Sequence, residues 1–382
     1  MKVLIVSNNA YLKGNGVCTA VQSLKSRLTE EGVEVRLLTC ENPDKEGPQP
    51  DYPLKHFVIP VFEPIIRANG FMFSRTDPEM IRKAVGWADV VHLMEGFPLE
   101  AATATIAAEL GKPCVGTYHT FTENITANIG FGYDTIINKL INRLWSSQVY
   151  NKCVSVQCPT QTVKEHLEEN GYTSSLIVIS NGMQHSDLKE SPDNYGSPYK
   201  VLCTGRLSNE KSQQTLLVAM RHSRHAGEIE LHFAGNGPNA SKIKKAAHQL
   251  VEDHVLTYEP VFGFYTSDEL KSLAASSYLY IHCAIVEVEG LSCMEAIEQG
   301  AVPVIAKSKL SSTSQFALDD RSLFTVRDSK ELAEKIDWWI EHQDERKRMG
   351  KEYRESIKRY DAGSSTARII RMYEDAIAQA VS

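Results

Sequence analysis

The segment Tyr199–Lys211, with the sequence YKVLCTGRLSNEK, decides the fold class. Its mainly apolar start predicts a buried β-strand over Tyr199–Thr204. Gly205 follows as a turn, and Arg206 and Lys211 then lie at the carboxyl end of the strand, where open α/β sheets bind their ligands. A planar guanidinium and a compact ammonium together suit a diphosphate. The alternative is a solvated charged loop.

The same strand pattern recurs along both halves of the chain. Short apolar runs predict further strands at Val3–Val6, Val35–Leu38, Val90–Leu93, Pro113–Thr117, Val154–Cys158, Leu176–Ile179, Ile229–Ala234, Val255–Tyr258, Leu279–His282 and Val302–Ile305. Continuous rather than alternating apolarity is typical of parallel strands that are buried on both faces. Helices are predicted between them, for example over Thr19–Glu31 and Pro98–Leu110. The fold class is therefore α/β, built from βαβ units.

A polar stretch between the two series of strands indicates two domains. Residues 186–198 contain proline and glycine and few large apolar side chains, which is typical of a linker. We therefore expect one Rossmann-like domain over residues 1–185 and a second over residues 199–360, with parallel sheets that face a central cleft. The chain is predicted to be helical after Glu331, with a helix over about residues 364–382 that crosses back to the first domain.

The segment Glu287–Ala296, with the sequence EVEGLSCMEA, carries the strongest functional pattern. It follows the strand that ends at His282, and its turn at Gly290 opens a helix whose first N–H groups suit a phosphate. Glu287 precedes the turn and is placed to bind sugar hydroxyls, whereas Glu295, in the first helical turn, is expected to bind a ribose. The alternative is that the acids only complement the helix dipole, an effect below about 1 kcal/mol each.

Two further glycine turns follow predicted strands. The turn Lys13–Val17 contains Gly16 and precedes a helix, so its N–H groups suit an anion. It lacks the third glycine of a dinucleotide-binding fingerprint, which makes a dehydrogenase a weak hypothesis. Gly235 and Asn236 would let a base or a ribose approach the backbone closely. A purely structural role is compatible with either turn.

Composition excludes several classes of protein. The net charge of −7 argues against a nucleic-acid-binding protein, and no stretch approaches the roughly 20 apolar residues of a membrane-spanning helix. The eight cysteines include no Cys-x-x-Cys pair, which favours reduced thiols over a zinc site or a disulfide framework. The apolar run at Val3–Val6 is too short for a signal peptide and is typical of a first strand. We therefore expect a cytoplasmic protein.

In combination, these motifs resemble those of retaining glycosyltransferases of family 4, which have the GT-B fold. The resemblance rests on the loop at Gly16, on His119 after a strand, on the Gly-Arg-Leu…Glu-Lys run and on two glutamates separated by seven residues. It covers nearly the whole chain. It implies transfer of a hexose from a nucleotide sugar, with a UDP-sugar as the expected donor, and retention of the anomeric configuration. It implies no metal and no cofactor, since the nucleotide sugar is a co-substrate.

The resemblance also implies a role for each candidate residue. Arg206 and Lys211 would bind the donor diphosphate. Glu287 would bind the transferred sugar and Glu295 the nucleotide ribose. His119 would face the reacting sugar, so His119 and Glu287 are the catalytic candidates. The remaining candidates are Gly16, Gly290, Leu291 and Ser292 for the diphosphate, and Gly235 and Asn236 for the nucleotide.

The form Glu-x-x-Gly-Leu-Ser is similar to that of bacterial diacylglycerol α-glucosyltransferases, which implies a membrane lipid such as diacylglycerol as the acceptor. Apolar residues recur at helical spacing over Ile136–Trp145, beside Lys139 and Arg143. This composition suits a helix that lies on a membrane and would place the protein peripherally on the inner face of the plasma membrane. The alternative is a helix that packs its apolar face on its own domain.

Two other functions are compatible with these motifs. A sugar-nucleotide epimerase of the same fold would release nucleotide and an altered sugar without an acceptor. A protein that binds nucleotide sugars without transfer would show binding alone. Product analysis distinguishes both from a transferase.

Overall fold

The computed structural model of the chain describes residues 1–12, 16–60, 63–68, 70–127, 132–133, 136–185, 187–189 and 196–381. The chain divides into two compact units, one formed by Met1–Gly182 with Ala362–Ser382 and the other by Met183–Asp361. Of the predicted linker, residues 186 and 190–195 lie outside the described residues.

The first unit is built on a parallel sheet. Its strands are β1 (Lys2–Val6), β2 (Glu34–Cys40), β3 (Tyr52–Leu54), β4 (Val90–Leu93), β5 (Cys114–Thr117), β6 (Ser155–Cys158) and β7 (Ser175–Val178). They pair in the order β3-β2-β1-β4-β5-β6-β7. The helices described between them are α1 (Gly16–Glu30), α2 (Glu63–Ala68), α3 (Pro78–Trp87), α4 (Pro98–Glu109), α5 (Thr122–Thr126), α6 (Ile136–Gln148) and α7 (Gln161–Glu169).

The second unit has a six-stranded parallel sheet of the same kind and a small two-stranded one. Its strands are β8 (Tyr199–Thr204), β9 (Ile229–Ala234), β10 (Val261–Gly263), β11 (Leu279–His282), β12 (Val286–Glu287), β13 (Val302–Lys307), β14 (Leu310–Ser311) and β15 (Leu323–Thr325). The larger sheet has the order β10-β9-β8-β11-β13-β15, and β12 pairs with β14. The helices are α8 (Gln214–Met220), α9 (Ala240–Glu252), α10 (Ser267–Ala275), α11 (Leu291–Glu298), α12 (Ser329–Glu341) and α13 (Gln343–Ile357).

The last helix, α14 (Ala362–Val381), packs in the first unit. Its buried side chains Ile369 and Tyr373 belong to the same apolar core as strands β1 and β4. The hydroxyl of Tyr373 lies 2.7 Å from Nδ1 of His92, and Arg27 of α1 donates a 3.0 Å hydrogen bond to the carbonyl of Ala362. The end of the chain therefore completes the core of the unit in which the chain begins.

Both sheets reverse their strand order at one point. In the first unit the change lies between β1 and β4, and in the second between β8 and β11. Open α/β sheets bind ligands beyond the carboxyl ends of the strands at such a switch point. The prediction of an α/β fold with two Rossmann-like parallel sheets is confirmed, and the switch points indicate where to look for a site.

One predicted strand is wrong. Val255–Tyr258 is not a strand, and β10 lies later, at Val261–Gly263. Val255 and Leu256 instead close the end of α9, where their N–H groups donate to the carbonyl of Leu250 at 2.9 and 3.1 Å. His254 has a left-handed φ of 56°, as is common where a helix ends. Leu256 is buried, so the apolar character of this stretch arises from a helix end and not from a strand.

Candidate functional site

Two of the predicted glycine turns lie side by side at the carboxyl end of the second sheet. Gly205 follows β8 with a φ of 117°, and its N–H donates to the carbonyl of Ala234 at 2.9 Å. Gly235 follows β9 with a φ of 144°. The N–H of Leu207 donates to the carbonyl of Asn236 at 3.0 Å. The turn with Arg206 is thus held against the turn with Asn236.

Lys211 and Glu287 form an ion pair between the segments that follow β8 and β11. These strands are neighbours at the switch point of the second sheet, although the two residues are 76 positions apart. Burial by itself would raise the pKa of Glu287, but the Lys211 ammonium lowers it, and the resulting pKa is about 2. Glu287 is therefore ionised at neutral pH and can accept hydrogen bonds from hydroxyl groups.

A buried carboxylate holds Arg206. Glu210 is fully buried and forms an ion pair with the Arg206 guanidinium, whose side chain stays 21% exposed. Burial acts to raise the pKa of Glu210, but Arg206 outweighs it and the pKa is lowered. Gln213 also donates a 2.9 Å hydrogen bond to the carbonyl of Arg206. The guanidinium is therefore oriented before any ligand arrives.

A chain of polar side chains lies behind the Lys211–Glu287 pair. Nε2 of His282 is 3.4 Å from the Glu287 carboxylate, and its Nδ1 is 3.1 Å from the hydroxyl of Tyr280. The same hydroxyl lies 2.8 Å from Oγ1 of Thr204 and 3.3 Å from Oγ of Ser292. These contacts connect the ends of β8 and β11 with the start of α11.

Helix α11 begins at Leu291, and the residue before it, Gly290, is left-handed with a φ of 85°. The carbonyl of Gly290 accepts the N–H groups of Cys293 and Met294 at 2.9 and 3.2 Å. The N–H groups of Leu291 and Ser292 precede these bonds, in the part of a helix that offers donors to an anion. Gly290, Leu291 and Ser292 therefore form the start of the helix, the part that suits an anion.

Glu295 lies one turn later than predicted. Because α11 begins at Leu291, Glu295 is in the second turn and does not cap the helix. It lines a small cavity of about 10 Å³ together with Thr204, Lys271 and Ser292. Burial raises the pKa of Glu295, and Lys271 opposes this only in part. The carboxylate faces the site from the side of the helix, not from its end.

The candidates of the first unit lie at the carboxyl edge of its sheet. Gly16 is the first residue of α1, and among the described residues, apart from its chain neighbours and the backbone of its own helix, no atom lies within 4 Å of the place where a side chain would begin. The rest of its predicted turn, residues 13–15, lies outside the described residues. His119 follows β5, and burial lowers its pKa to about 4. It is therefore neutral at physiological pH, and its buried Nε2 atom has no hydrogen-bond partner within the described part of the chain.

Two family profiles match consecutive parts of the chain. The profile described as "Glycosyltransferase Family 4" matches residues 14–187, and the one described as "Glycosyl transferases group 1" matches residues 185–356. The chain belongs to glycosyltransferase family 4. The family prediction is confirmed, and the chain is a glycosyltransferase.

Three proteins of known name or structure are similar to this family 4 glycosyltransferase. The alpha-monoglucosyldiacylglycerol synthase of Streptococcus pneumoniae is 23% identical over 321 residues, which cover 80% of this chain and 71% of the synthase. The catalytic domain of the cholesterol-alpha-glucosyltransferase from Helicobacter pylori is 46% identical, covering 43% of this chain and 99% of that domain, with a TM-score of 0.40. Anabaena HepE, solved in complex with UDP-glucose, is 16% identical and covers 98% of this chain and 100% of its own, with a TM-score of 0.73. The GT-B fold is confirmed.

The structure adds residues to the site of the glycosyltransferase that the sequence motifs did not assign. Glu210 holds Arg206, His282 contacts Glu287, and Lys271 lies near Glu295. The sequence contained only a weak indication of these partners: Tyr280 and His282 carry polar groups at the end of an otherwise apolar strand. Within the described ranges, no group of three or more His, Cys, Asp or Glu side chains is arranged to hold a metal ion.

Replacing Glu295 by glutamine is expected to raise the free energy of unfolding at pH 7 while weakening donor binding about tenfold or more. The folded pKa of Glu295 is raised, so its contribution to stability is present below the ordinary value of 4.5 and is lost as the pH rises through the folded pKa. Glutamine carries no charge, so the variant avoids the cost of burying an ionised carboxylate at pH 7. Its amide oxygen is, however, a poorer hydrogen-bond acceptor for hydroxyl groups than a carboxylate. Urea unfolding at pH 7 and pH 4.5, with donor titration, measures both effects.

The stability gain should shrink as the pH falls to 4.5, because the raised pKa of Glu295 favours its protonated form in the folded state. Glu334→Gln, at an exposed position of α12, is the matched control and should change neither quantity. A Glu295→Gln protein that is less stable than the parent at pH 7 contradicts the burial of this carboxylate.

Proposed function

We propose that this glycosyltransferase moves a hexose from a nucleotide sugar, with a UDP-sugar as the expected donor, to the hydroxyl group of a membrane lipid such as diacylglycerol. The reaction retains the anomeric configuration and needs no metal ion. The observation that carries the proposal is the cluster of Arg206, the Lys211–Glu287 pair and the start of α11 at the switch point of the second sheet.

The charges of this cluster suit a sugar diphosphate. Arg206 and Lys211 supply two cations, and the first N–H groups of α11 supply donors to an anion. Glu287, ionised and beside Lys211, can accept hydrogen bonds from the hydroxyl groups of the sugar. We assign Glu295, which lines a small cavity with Lys271, to the ribose, and the turn at Gly235 and Asn236 to the base. Each part of a nucleotide sugar therefore has a chemically matched group.

The proposed mechanism follows from the charge that develops as the anomeric bond breaks. Negative charge grows on the departing diphosphate, and Arg206, Lys211 and the helix N–H groups stabilise it there. The acceptor hydroxyl attacks from the face that the diphosphate leaves, and a phosphate oxygen of the donor takes its proton. The resemblance to the family assigns Gly16 to the donor diphosphate. His119, neutral because of its low pKa, donates or accepts a hydrogen bond at the reacting sugar.

The test is a matrix of donors and acceptors with product analysis. UDP- and GDP-hexoses are incubated with diacylglycerol in mixed micelles, with a sterol and with soluble sugars, in the presence of EDTA. We expect an α-linked glycolipid from a UDP-hexose, with the linkage read by NMR. Free altered sugar without an acceptor would instead indicate an epimerase, and donor binding without any product would indicate a non-transferring protein.

The lipid acceptor has two supports. One is the similarity to a protein named alpha-monoglucosyldiacylglycerol synthase. The other is α6, whose outward face carries the apolar side chains Ile136, Leu140 and Leu144, exposed to 86%, 58% and 51%. The exposed basic side chains of Lys139 and Arg143 lie on the same helix, which contains no acidic residue.

Hydrogen bonds of two buried asparagines fix which face of α6 is exposed. Asn138 and Asn142 are buried, and Oδ1 of Asn138 accepts a 2.6 Å hydrogen bond from Thr126. Nδ2 of Asn142 donates to the hydroxyl of Thr122 at 3.2 Å. Since the buried side of the helix is occupied by these amides and Trp145, three of its five aliphatic side chains are exposed. We propose that this face lies on an anionic membrane surface.

Replacing Leu140 by aspartate is expected to weaken binding to anionic vesicles about tenfold or more. The substitution removes apolar area from the membrane-facing side and adds charge of the sign that anionic lipids repel. Flotation with phosphatidylglycerol vesicles at two salt concentrations measures the effect. Leu188→Asp, at a leucine of the second unit that is 52% exposed, is the matched control. Equal binding of the two variants would exclude α6 as the contact.

No helix in the described part of the chain is long and apolar enough to cross a membrane.

A further inference from the structure

The first unit contains a cavity of about 470 Å³ at the switch point of its sheet. Asn8, which follows β1, and the segment Phe97–Leu99, which follows β4, form one side of it. Strands β1 and β4 are neighbours, so the cavity lies where an open α/β sheet binds ligands. Its volume is within the range of about 300 to 1,000 Å³ that is typical of small-molecule sites.

The walls of the cavity are mainly apolar. Phe57, Ile59, Phe73 and Phe97 line it, and the rings of Phe73 and Phe97 pack edge to face with centroids 5.1 Å apart. Phe57 is 50% exposed, so the apolar lining continues to the surface. Arg75, Thr76 and other polar groups complete the lining. Such walls suit a ligand with an apolar body and a polar end, not a nucleotide diphosphate.

Buried hydrogen bonds hold one wall in place. Oδ1 of Asn8 accepts the N–H of Ser74 at 2.9 Å, and Oδ1 of Asn9 accepts the N–H of Met72 at 2.9 Å. Asn8 is itself held by the buried carboxylate of Glu95, which accepts its N–H at 2.7 Å. The cavity is therefore preformed, which lowers the entropic cost of binding a ligand.

One wall of the cavity contacts α6, and the strand next to β4 leads to His119. The Phe97 ring packs edge to face against Trp145 of α6, the helix with the outward apolar face, at a centroid distance of 5.5 Å. Strand β4 also pairs with β5, which leads to His119 at the same edge of the sheet. A lipid held here would thus lie next to the proposed membrane contact and at the edge of the sheet that carries His119.

We propose that this cavity binds the apolar body of the hydroxyl-bearing lipid acceptor. The proposal rests on the proposed function and names the part of the first unit that selects the acceptor. An acyl chain and a sterol ring system share the required chemistry. Each methylene removed from water is worth about fourfold in affinity, so acceptors with longer chains should bind more tightly up to the length that the cavity holds.

The test compares two variants with a matched control in the full chain. Thr76→Trp places an indole at an exposed lining position, and Phe57→Ser removes an apolar wall. Val58→Ser is the control, because Val58 is 53% exposed but does not line the cavity. Dihexanoyl- and dioctanoylglycerol, below their aggregation limits, and a cyclodextrin-bound sterol are the probes. Equilibrium dialysis measures binding, and transfer to glycerol measures chemistry without an apolar body.

We expect each cavity variant to weaken binding of the preferred probe about tenfold and to raise its KM equally, with transfer to glycerol unchanged. The preference between dioctanoylglycerol and the sterol identifies which lipid class occupies the cavity. Binding that is equal in Thr76→Trp, Phe57→Ser and the control overturns the proposal. If no donor supports transfer but binding remains sensitive to the cavity variants, the proposed function fails and the cavity still binds lipid.

Discussion

Replacing Lys211 by methionine is expected to lower the rate of sugar transfer about 10²- to 10³-fold. In the proposed mechanism, Lys211 stabilises the charge on the departing diphosphate, and removal of one such preorganised group typically costs this much. Glu287→Gln should cause a loss of similar size, because an amide accepts hydrogen bonds from the sugar less strongly than a carboxylate. Steady-state and single-turnover assays with saturating donor separate this loss from a change in donor binding.

The ion pair also predicts a change in stability with a definite pH dependence. The pKa of Glu287 is lowered to about 2, so its contribution to stability is present above the ordinary value of 4.5 and is lost as the pH falls towards 2. Lys211→Met should therefore be less stable than the parent at pH 7, and the difference should narrow as the pH falls below 4.5. In the double variant Lys211→Met/Glu287→Gln, most of the stability should return while the activity stays low.

Arg221→Met is the matched control for these variants. Arg221 forms an ion pair with Asp253 at 2.6 Å in the same unit, but the two side chains are 44% and 36% exposed. Exposed pairs contribute about 0 to 1 kcal/mol, so neither stability nor transfer should change much. Transfer by Lys211→Met within tenfold of the parent, at full donor occupancy, would remove Lys211 from the proposed mechanism.

Replacing Gly235 by alanine is expected to lower the free energy of unfolding by about 3 kcal/mol or more. The added Cβ would lie 2.2 Å from the carbonyl oxygen of Gly205, an atom of the backbone that cannot rotate away. The φ of 144° adds strain that only glycine avoids. Movement of the Gly205 turn would also displace Arg206, so transfer should fall further than the lost stability alone explains. Urea unfolding and activity measured on the folded fraction test both parts.

The control for this substitution is Gly227→Ala. The nearest atom to its added Cβ would be Oγ1 of Thr257 at 3.3 Å, the end of a side chain, and a change below about 1 kcal/mol is expected. A Gly235→Ala protein as stable as Gly227→Ala would show that the two turns do not approach each other as described.

Most of the longer strands could be predicted from short apolar runs, because parallel strands that are buried on both faces need nearly continuous apolar residues. Tyr199–Thr204, Ile229–Ala234 and Leu279–His282 are strands with the predicted bounds. The prediction failed at Val255–Tyr258, where apolar side chains close a helix end instead. It also missed five strands of two or three residues each, which are shorter than a recognisable apolar run: β3, β10, β12, β14 and β15. These errors occur where an apolar stretch is too short to show which element it forms.

The partners in the site could not be predicted from the motifs. Arg206, Lys211 and Glu287 were candidates by position after their strands, but the contact of Lys211 with Glu287 depends on β8 and β11 being neighbours. Glu210 belongs to the Gly-Arg-Leu…Glu-Lys run but was assigned no role, and His282 belongs to no motif. Their roles as buried partners arise only when the sheet forms. Glu295 was placed in the wrong helical turn, since the start of α11 is set by the left-handed Gly290.

The sequence by itself determined the α/β class, the family and the residues whose charges suit a nucleotide sugar, since these depend on composition and local spacing. The tertiary structure alone decided which charges meet and which faces stay open. The helix over Ile136–Gln148 shows the difference most clearly. Its periodicity predicts a helix with an apolar face, but the direction of that face depends on the buried bonds of Asn138 and Asn142 to side chains of α5. Periodicity records which residues share a face, whereas only packing decides where that face points.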